Sequence, residues 1–508
     1  LARSFDLARV KFCKNCGTLQ EYDVTKAKSS YGIMSSIAES VTVMKTSLDT
    51  FFTPKSVAVV GASSTPGKLG YIAIENLLKI GYQGKIYPVN PKVNEVLGLK
   101  AYPNVKDIPG PVDVGLVLVP AQAAVGVIDD FAEKGIKHAV IVAGGFGEVN
   151  EKGASMQQQI LDVANKSAMR IIGPNTTGII STPSHFSTTF QAGVELRKGP
   201  AAYISQTGNF ASITFKWILS KEHFGISRVI GLGNKCDVDD ADALEYLRDD
   251  PETKVIAMYI EGIKNGRRLI DVAKSVVKKK PILALKSGRT LSGSKAAHSH
   301  TASLAANDTI VDAAFKQAGI IRVRNYMDLI NYTKAFVYQQ PPKGNRVGII
   351  TPSGGLGVIA ADACESLGLQ VAKLTEDTLG KFRKASPQFI DVGNPYDIWP
   401  SVSYVGMDDA YKVAIDGMFG DKNVDAIIAG FMVTKGFLEL KDNNFIAAAS
   451  RKHPEKPIIV YATSEWQMVD QMQADLERQG VPVYISPEMA AEALATMYKY
   501  SRIRASAK

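Results

Sequence analysis

The sequence predicts an α/β protein made of three consecutive parallel-sheet units, and three observations lead there. From residue 56 onward, short β-branched runs alternate with helical stretches, the pattern of strands joined by crossover helices. The alternation stops twice, at Glu195-Leu-Arg-Lys-Gly-Pro200 and at Gln339-Gln-Pro-Pro-Lys-Gly-Asn345, and restarts after each break. The second and third units also share a device, a strand running into a small-residue turn: Ile204-Ser-Gln-Thr-Gly-Asn209 and Ile350-Thr-Pro-Ser-Gly-Gly355.

In the first unit Ser56–Val60, Lys85–Val89, Val114–Val119, Ala139–Ala143 and Arg170–Ile172 read as strands, with Leu69–Ile80 as the first helix. Ala201–Ser205, Arg228–Leu232, Val255–Ile260 and Pro281–Lys286 form the second series. Arg346–Thr351, Ala426–Ala429, Pro457–Tyr461 and Val481–Ile485 form the third, closed by a helix over Glu488–Arg502. The expected boundaries are therefore 44–194, 195–340 and 344–508. Residues 1–43 are polar and without pattern, and read as an extension outside the folded core.

Hydrophobic residues make up 45% of the 508 and charged residues 21%, ordinary values for a chain with several buried cores. The net charge is +9, but lysine and arginine are spread along the chain, so no stripe for nucleic acid is expected. The densest run, Lys278-Lys279-Lys280, reads as a solvated helix end. A basic balance also suits an anionic small molecule. Four cysteines are too few for a disulfide framework and point to a reducing, cytoplasmic setting. Cys13 and Cys16 make half a zinc site without a second pair, so no metal centre is expected. No apolar run is long enough to span a membrane.

Three turns follow strands and open helices, where glycines admit an anion to free backbone N–H groups. The first is Gly61-Ala-Ser-Ser-Thr-Pro-Gly-Lys-Leu-Gly70. It is a loose relative of the dinucleotide fingerprint, and an ordinary glycine turn would look similar. Asn90-Pro-Lys92 ends the next strand, where an NAD site wants Asp or Glu. A neutral residue followed by a base favours a phosphorylated ribose, as in CoA or NADP. The other two turns are Ser205-Gln-Thr-Gly208 and Ser353-Gly-Gly355, each able to hold one anion at a helix N-terminus.

Two of the six histidines stand almost together in Ser294-Lys-Ala-Ala-His-Ser-His-Thr-Ala-Ser303. Small neighbours let such a ring be approached closely, and no thiol or carboxylate nearby in sequence suggests a metal. That suits a nucleophile better than a metal ligand, while on its own a histidine in such a loop is more often structural.

Together these segments resemble the NDP-forming acyl-CoA synthetase superfamily, specifically the α chain of its ADP-forming acetate–CoA ligases, relatives of succinyl-CoA synthetase. The resemblance runs over about residues 48–505. It is carried by Phe52-Thr-Pro-Lys-Ser-Val-Ala-Val-Val-Gly-Ala-Ser63, Tyr87-Pro-Val-Asn-Pro91, Gly144-Gly-Phe-Gly-Glu148, Arg170-Ile-Ile-Gly-Pro-Asn175, Ile204-Ser-Gln-Thr-Gly208, Tyr259-Ile-Glu-Gly262 and Ser299-His-Thr-Ala-Ser-Leu-Ala305.

The resemblance implies a Rossmann-like CoA-binding domain followed by two flavodoxin-like ligase domains. It implies that His300 is the phosphorylated histidine, His298 an incidental neighbour, and Glu261 the acid that orients the ring. Gly61, Ser63, Asn90 and Lys92 would lie in the CoA turns and Asn175 near the thioester end. Ser205, Gln206, Thr207 and Gly208, with Ser353, Gly354 and Gly355, would cradle the phosphoryl group. The substrates implied are CoA or acyl-CoA, phosphate and a small carboxylic acid. ADP/ATP with Mg2+ would sit on an ATP-grasp β subunit, since no such domain follows residue 505, giving a hetero-oligomer.

Departures from the family pattern are Ala302 and Ala306 in place of glycines and Thr176 where many relatives carry cysteine. Tyr396 and Trp399 replace smaller residues and are candidates for shaping a pocket for a bulkier or aromatic acid. The acyl group, ADP versus GDP and the physiological direction are not encoded in these motifs. Two rivals remain at this stage. One is a CoA-binding structural or regulatory subunit without turnover, against which the pair Glu261 and His300 speaks. The other is a nicotinamide enzyme, against which Asn90 and Lys92 speak for NAD.

Overall fold

The computed structural model describes residues 48–290, 292, 293, 295, 307–436, 438 and 440–507, with backbone only for 209–213. His298, His300, Ala302, Ala306, Cys13, Cys16 and the 1–43 extension lie outside the described residues.

Three sheets follow one another along the chain. The first comprises β1 (Ser56–Val60), β2 (Lys85–Val89), β5 (Val114–Val117), β6 (His138–Ile141) and β7 (Arg170–Ile172), with a small hairpin of β3 (Glu95–Val96) and β4 (Leu99–Lys100) beside it. Its order is β2-β1-β5-β6-β7, all parallel. The second contains β8 (Ile179–Ser181), β9 (Phe186–Ser187), β10 (Lys198–Ser205), β11 (Ile226–Gly231), β12 (Val255–Ile260), β13 (Ile282–Lys286) and β14 (Ile321–Arg322), in the order β14-β13-β12-β10-β11-β8-β9. The third holds β15 (Arg346–Thr351), β16 (Gln370–Val371), β17 (Tyr396–Asp397), β18 (Ala426–Val433), β19 (Ile458–Ser464) and β20 (Val483–Tyr484), in the order β16-β15-β18-β19-β20 with β17 also on β15.

Within each sheet the first strand of the parallel set lies between the second and the third, the doubly wound 2-1-3-4-5 order. Such sheets are covered by helices on both faces, which is why β1, β5 and β11 are buried at every residue, Ser56, Ser227 and Arg228 included. The reversal of winding leaves a crevice at the carboxyl ends of strands one and three, where ligands of such folds bind. Here those pairs are β1/β5, β10/β12 and β15/β18.

The second sheet is not purely parallel. β8 runs antiparallel to β11 and β9 antiparallel to β8. Both lie upstream of the break at 195–200, so the second sheet begins its strand set at residue 179. The reason is local: Gly178 turns the chain into Ile179-Ile180-Ser181, and no helix separates that run from the next, so an antiparallel return is the available pairing. The short helix Asp49–Phe52 also leans on the second unit, with Phe52 stacked on Tyr246 at 4.5 Å.

The second and third units meet across the helices Tyr326–Tyr338 and Pro487–Ser506. A buried ion cluster lies there: Lys334 Nζ is 3.0 Å from both Glu222 and Glu477, and donates to Val483 O at 2.7 Å. Of the lysine run, Lys279 pairs with Asp249 at 2.6 Å. Lys280 donates to Asp250 O at 2.6 Å, and burial pushes its pKa down to about 8. Only part of that run is a solvated surface.

Tyr396 overturns the pocket expectation. It is buried, stacked on Phe382 at 4.1 Å, with its hydroxyl between Ser386 and Ser401. A large ring next to small serines packs into the core of the third unit. Trp399 is partly exposed.

Candidate functional site

At the first crevice Gly61 has φ +92°, and a Cβ there would stand 3.1 Å from the Leu118 carbonyl carbon. The turn therefore needs glycine for both its backbone angle and its closeness to the strand-three loop. Gly70 lets the helix touch the turn: a Cβ would lie 2.1 Å from Gly61 O. Asn90 acts as a brace, with Nδ2 donating to Ala62 O at 2.6 Å and Oδ1 accepting from Lys92 N at 2.8 Å. Ser63 Oγ accepts from Thr65 N at 3.1 Å. Residues 64–69 and Lys92 are left open to solvent, a backbone surface an anionic ligand can approach. Gly61, Ser63, Asn90 and Lys92 are thus brought together.

Asn175 stands at the junction of the first two units, in a left-handed conformation with φ +58° after the cis Gly173–Pro174 bond. Its N–H donates to Ala143 O at 2.9 Å, and its amide reaches Asn234 Oδ1 at 3.4 Å. Glu148 closes the glycine loop beside it, accepting from Gly145 N at 2.6 Å and Phe146 N at 3.2 Å through Oε1. Thr176 turns away from this loop. It is buried, and its hydroxyl donates to Gly231 O at 2.6 Å while accepting from Gly178 N at 3.0 Å.

At the second crevice the Gln206 side chain spans the switch point. Its Oε1 accepts from the N–H groups of Glu261 and Gly262, each at 2.9 Å, which clips the turn after β10 to the end of β12. Gln206 N donates back to Tyr259 O at 3.2 Å. Glu261 is 7% exposed, and the Tyr259 hydroxyl donates to its Oε1 at 3.3 Å. Ser205 Oγ donates to Thr207 O at 2.7 Å and so tightens the turn that opens the helix Gly208–Lys221. Thr177 is packed against Gly208, and its hydroxyl has no hydrogen-bond partner among the described residues.

Lysines gather behind this carboxylate. Lys286 ends β13 in register with Ile260 and is buried, which lowers its pKa. Lys235, also buried, holds Asp240 at 2.6 Å and Gly262 O at 2.9 Å. Lys264 donates to Lys235 O, and burial lowers its pKa too. Ser205, Gln206, Thr207, Gly208 and Glu261 therefore form one cluster, a buried carboxylate in a cationic, hydrogen-bonded setting beside a helix N-terminus.

The third turn repeats the second in outline. Thr351 Oγ1 donates to Ser353 O at 2.8 Å, and Ser353 Oγ caps the helix Gly354–Ser366 by accepting from Leu356 N at 3.4 Å. A Cβ on Gly354 would meet Asp397 Oδ2 at 3.3 Å, whereas Gly355 faces open space. Among the described residues no group of three or more His, Cys, Asp or Glu side chains is arranged to hold a metal ion, and no helix is long and apolar enough to cross a membrane.

Sequence reasoning missed Asn234, Lys235 and Gln157, which tie these loops together. The available signal was Gly231-Leu-Gly-Asn-Lys235, a glycine-rich strand exit of the same kind as the three turns that were noticed.

Three family models match in the same order as the sheets: a CoA binding domain over residues 55–182, a succinyl-CoA ligase-like flavodoxin domain over 198–336 and a ligase-CoA domain over 347–507. The chain is 42% identical over 454 residues to acetate–CoA ligase [ADP-forming] II of Archaeoglobus fulgidus, covering 89% of this chain and 67% of that protein. It is 41% identical over 461 residues to the α subunit of acetate–CoA ligase [ADP-forming] II of Pyrococcus furiosus, covering 90% and 98%. The solved structure of dinucleotide-forming acetyl-coenzyme A synthetase 1 of Ca. Korarchaeum cryptofilum, in complex with phosphate and ADP, superposes with a TM-score of 0.83 at 35% identity, covering 90% and 97%. With Gln206, Glu261 and the first glycine turn at the carboxyl ends of the strands, this chain belongs to the NDP-forming acyl-CoA synthetases, in the family of the ADP-forming acetate–CoA ligases.

Proposed function

We propose that the chain is the α subunit of an ADP-forming acyl-CoA synthetase, interconverting acyl-CoA, ADP and phosphate with a free acid, CoA and ATP. In the first step a phosphate oxygen attacks the thioester carbonyl, the C–S bond breaks, and CoA thiolate leaves acyl phosphate behind. Next, a ring nitrogen of His300 attacks phosphorus and the P–O bond to the acyl group breaks, releasing the carboxylate. Last, a terminal oxygen of ADP takes the phosphoryl group as the P–N bond breaks. Most of this catalysis is positioning and charge stabilisation.

In this reading Gly61, Ser63, Asn90 and Lys92 belong to the CoA site, and Asn175 to the thioester end. Glu261 orients His300, and the turns at Ser205–Gly208 and Ser353–Gly355 offer helix N-termini to the phosphoryl group. The acid is a small carboxylic acid. ADP with Mg2+ belongs to an ATP-grasp β subunit, so the working enzyme is a hetero-oligomer. The relatives named α subunits, with which this chain is nearly co-extensive, support that division. A reducing, cytoplasmic setting suits Cys236 and Cys364, free thiols among the described residues.

The observation that carries the reading is the Gln206 clip on Glu261 at the switch point of the second sheet. A CoA-binding module without turnover has no use for a braced, buried carboxylate there. The test is to mix the purified chain with acetyl-CoA and phosphate and read intact mass under alkaline conditions that preserve phosphohistidine. An adduct of one phosphoryl group that disappears in His300→Ala is expected. No adduct with any acyl-CoA, with or without the β subunit, would leave the non-catalytic CoA-binding reading in its place.

A further inference from the structure

The loop leaving β11 touches both the Glu148–Asn175 loops and the Gln206–Glu261 clip. Leu232 N donates to Ser205 O at 2.8 Å, Asn234 N to Pro174 O at 2.9 Å and Cys236 N to Gly173 O at 3.0 Å. A Cβ at Gly233 would stand 2.2 Å from Pro174 O, so the two loops are in backbone contact. From this loop two consecutive side chains reach in different directions. Asn234 goes to the first unit: its Nδ2 donates to Glu148 Oε2 at 2.6 Å and Gln157 Oε1 at 3.0 Å, and its Oδ1 lies 3.4 Å from Asn175 Nδ2. Lys235 goes to the second: its Nζ holds Gly262 O at 2.9 Å, next to the Gln206 clip, and is anchored by Asp240 at 2.6 Å. Lys235 is in the left-handed region at φ +54°, an uncommon conformation for a residue with a long side chain.

We propose that Asn234 is a positioning residue that fixes the Glu148–Asn175 loops relative to the Gln206–Glu261 clip, with Lys235 as the anchor on the clip side. The inference rests on the function proposed above, because the two sides then correspond to thioester cleavage and to phosphoryl capture. Acyl phosphate made on one side has to be met by the histidine on the other. A shift of the two sides by about 1 Å costs on the order of a hundredfold when reacting atoms must meet. Asn234 touches neither the turn after β1 nor Glu261, so it acts through Glu148, Gln157 and Asn175.

The experiment compares two phosphoryl sources on the full chain. Acetyl-CoA with inorganic phosphate needs both sides in register. Acetyl phosphate, added directly, needs only the second. In Asn234→Ala, labelling from acetyl-CoA and phosphate is expected to fall on the order of ten- to a hundredfold, while labelling from acetyl phosphate stays within about twofold. The melting temperature is measured beside it. N234D alone sets a carboxylate against Glu148 and is expected to behave as N234A. N234D combined with E148Q exchanges donor and acceptor across the same bond and is expected to recover most of the lost rate. A folded N234A that uses both sources like the parent, or loses both by one common factor, overturns the inference. If the parent chain labels from neither source, the proposed function itself fails, whatever Asn234 does.

Discussion

The second and third sheets build the same turn and put it to different use. Both have the 2-1-3-4-5 order, and in both a hydroxyl at the end of the first strand donates to a carbonyl two residues on: Ser205 to Thr207 O and Thr351 to Ser353 O. What differs stands across the crevice. β12 is followed by Glu261, clipped by Gln206 and backed by lysines, whereas β18 is followed by Thr434, whose hydroxyl pairs with Ser464 at 2.8 Å. The helix caps differ as well. Ser353 spends its side chain on its own helix, while Thr207 makes no side-chain cap. A shared fold supplies the donors, and in the proposed function it is the residue after strand three that decides whether a reacting group is held there.

The largest effect expected from breaking this contrast is at Glu261. Glu261→Gln keeps the shape and removes the carboxylate that the proposed function assigns to orienting His300. Phosphohistidine formation is expected to fall on the order of a thousandfold to ten-thousandfold with the fold intact, as for a carboxylate that sets a tautomer. Rapid-quench labelling followed by mass analysis measures it. A loss below about tenfold would remove Glu261 from that role.

Next is the ion cluster that joins the two units. Lys334→Met leaves Glu222 and Glu477 buried without their cation, and a loss of about 3–5 kcal/mol is expected by chemical denaturation. The cluster also sets an alkaline limb. Burial alone would lower the pKa of Lys334, but Glu477 and Glu222 raise it above the ordinary 10.5. A lysine whose folded pKa is raised stabilises fully below its unfolded value, and that stability is lost as pH rises through the folded one. Above about pH 10, and not below it, the parent should therefore lose melting temperature more steeply than K334M. Equal slopes would show that Lys334 does not titrate with unfolding.

The smallest effect belongs to the third turn. Ser353→Ala removes a helix cap and is expected to cost about 1 kcal/mol of stability, with labelling reduced only a few-fold. A loss as large as that of E261Q would make the two turns equal partners and dissolve the contrast.

The strands were legible because sheets covered on both faces need apolar runs, and β5 and β12 have them unbroken. Glu261 was legible because it follows such a run directly. Tyr396 was not, since an aromatic after Asn-Pro looks the same whether it lines a pocket or fills a core. Only the serines at 386 and 401, ten positions before it and five after, show where its hydroxyl goes. Asn234 was missed for a similar reason. Its partners are 77 and 86 residues away, and spacing within a motif carries no information about them.

The antiparallel pair β8 and β9 has a consequence for taking the molecule apart. A fragment started at the visible break near residue 195 would begin β10 correctly yet leave the outer edge of β11 bare, a row of unpaired backbone groups inviting another chain. A fragment of the first sheet ended there would carry the β8–β9 pair with the β11 side of β8 left bare. The place to cut, for a chimera or for a gene rearrangement that moves the second unit between proteins, lies before Gly178, inside what reads as the first unit.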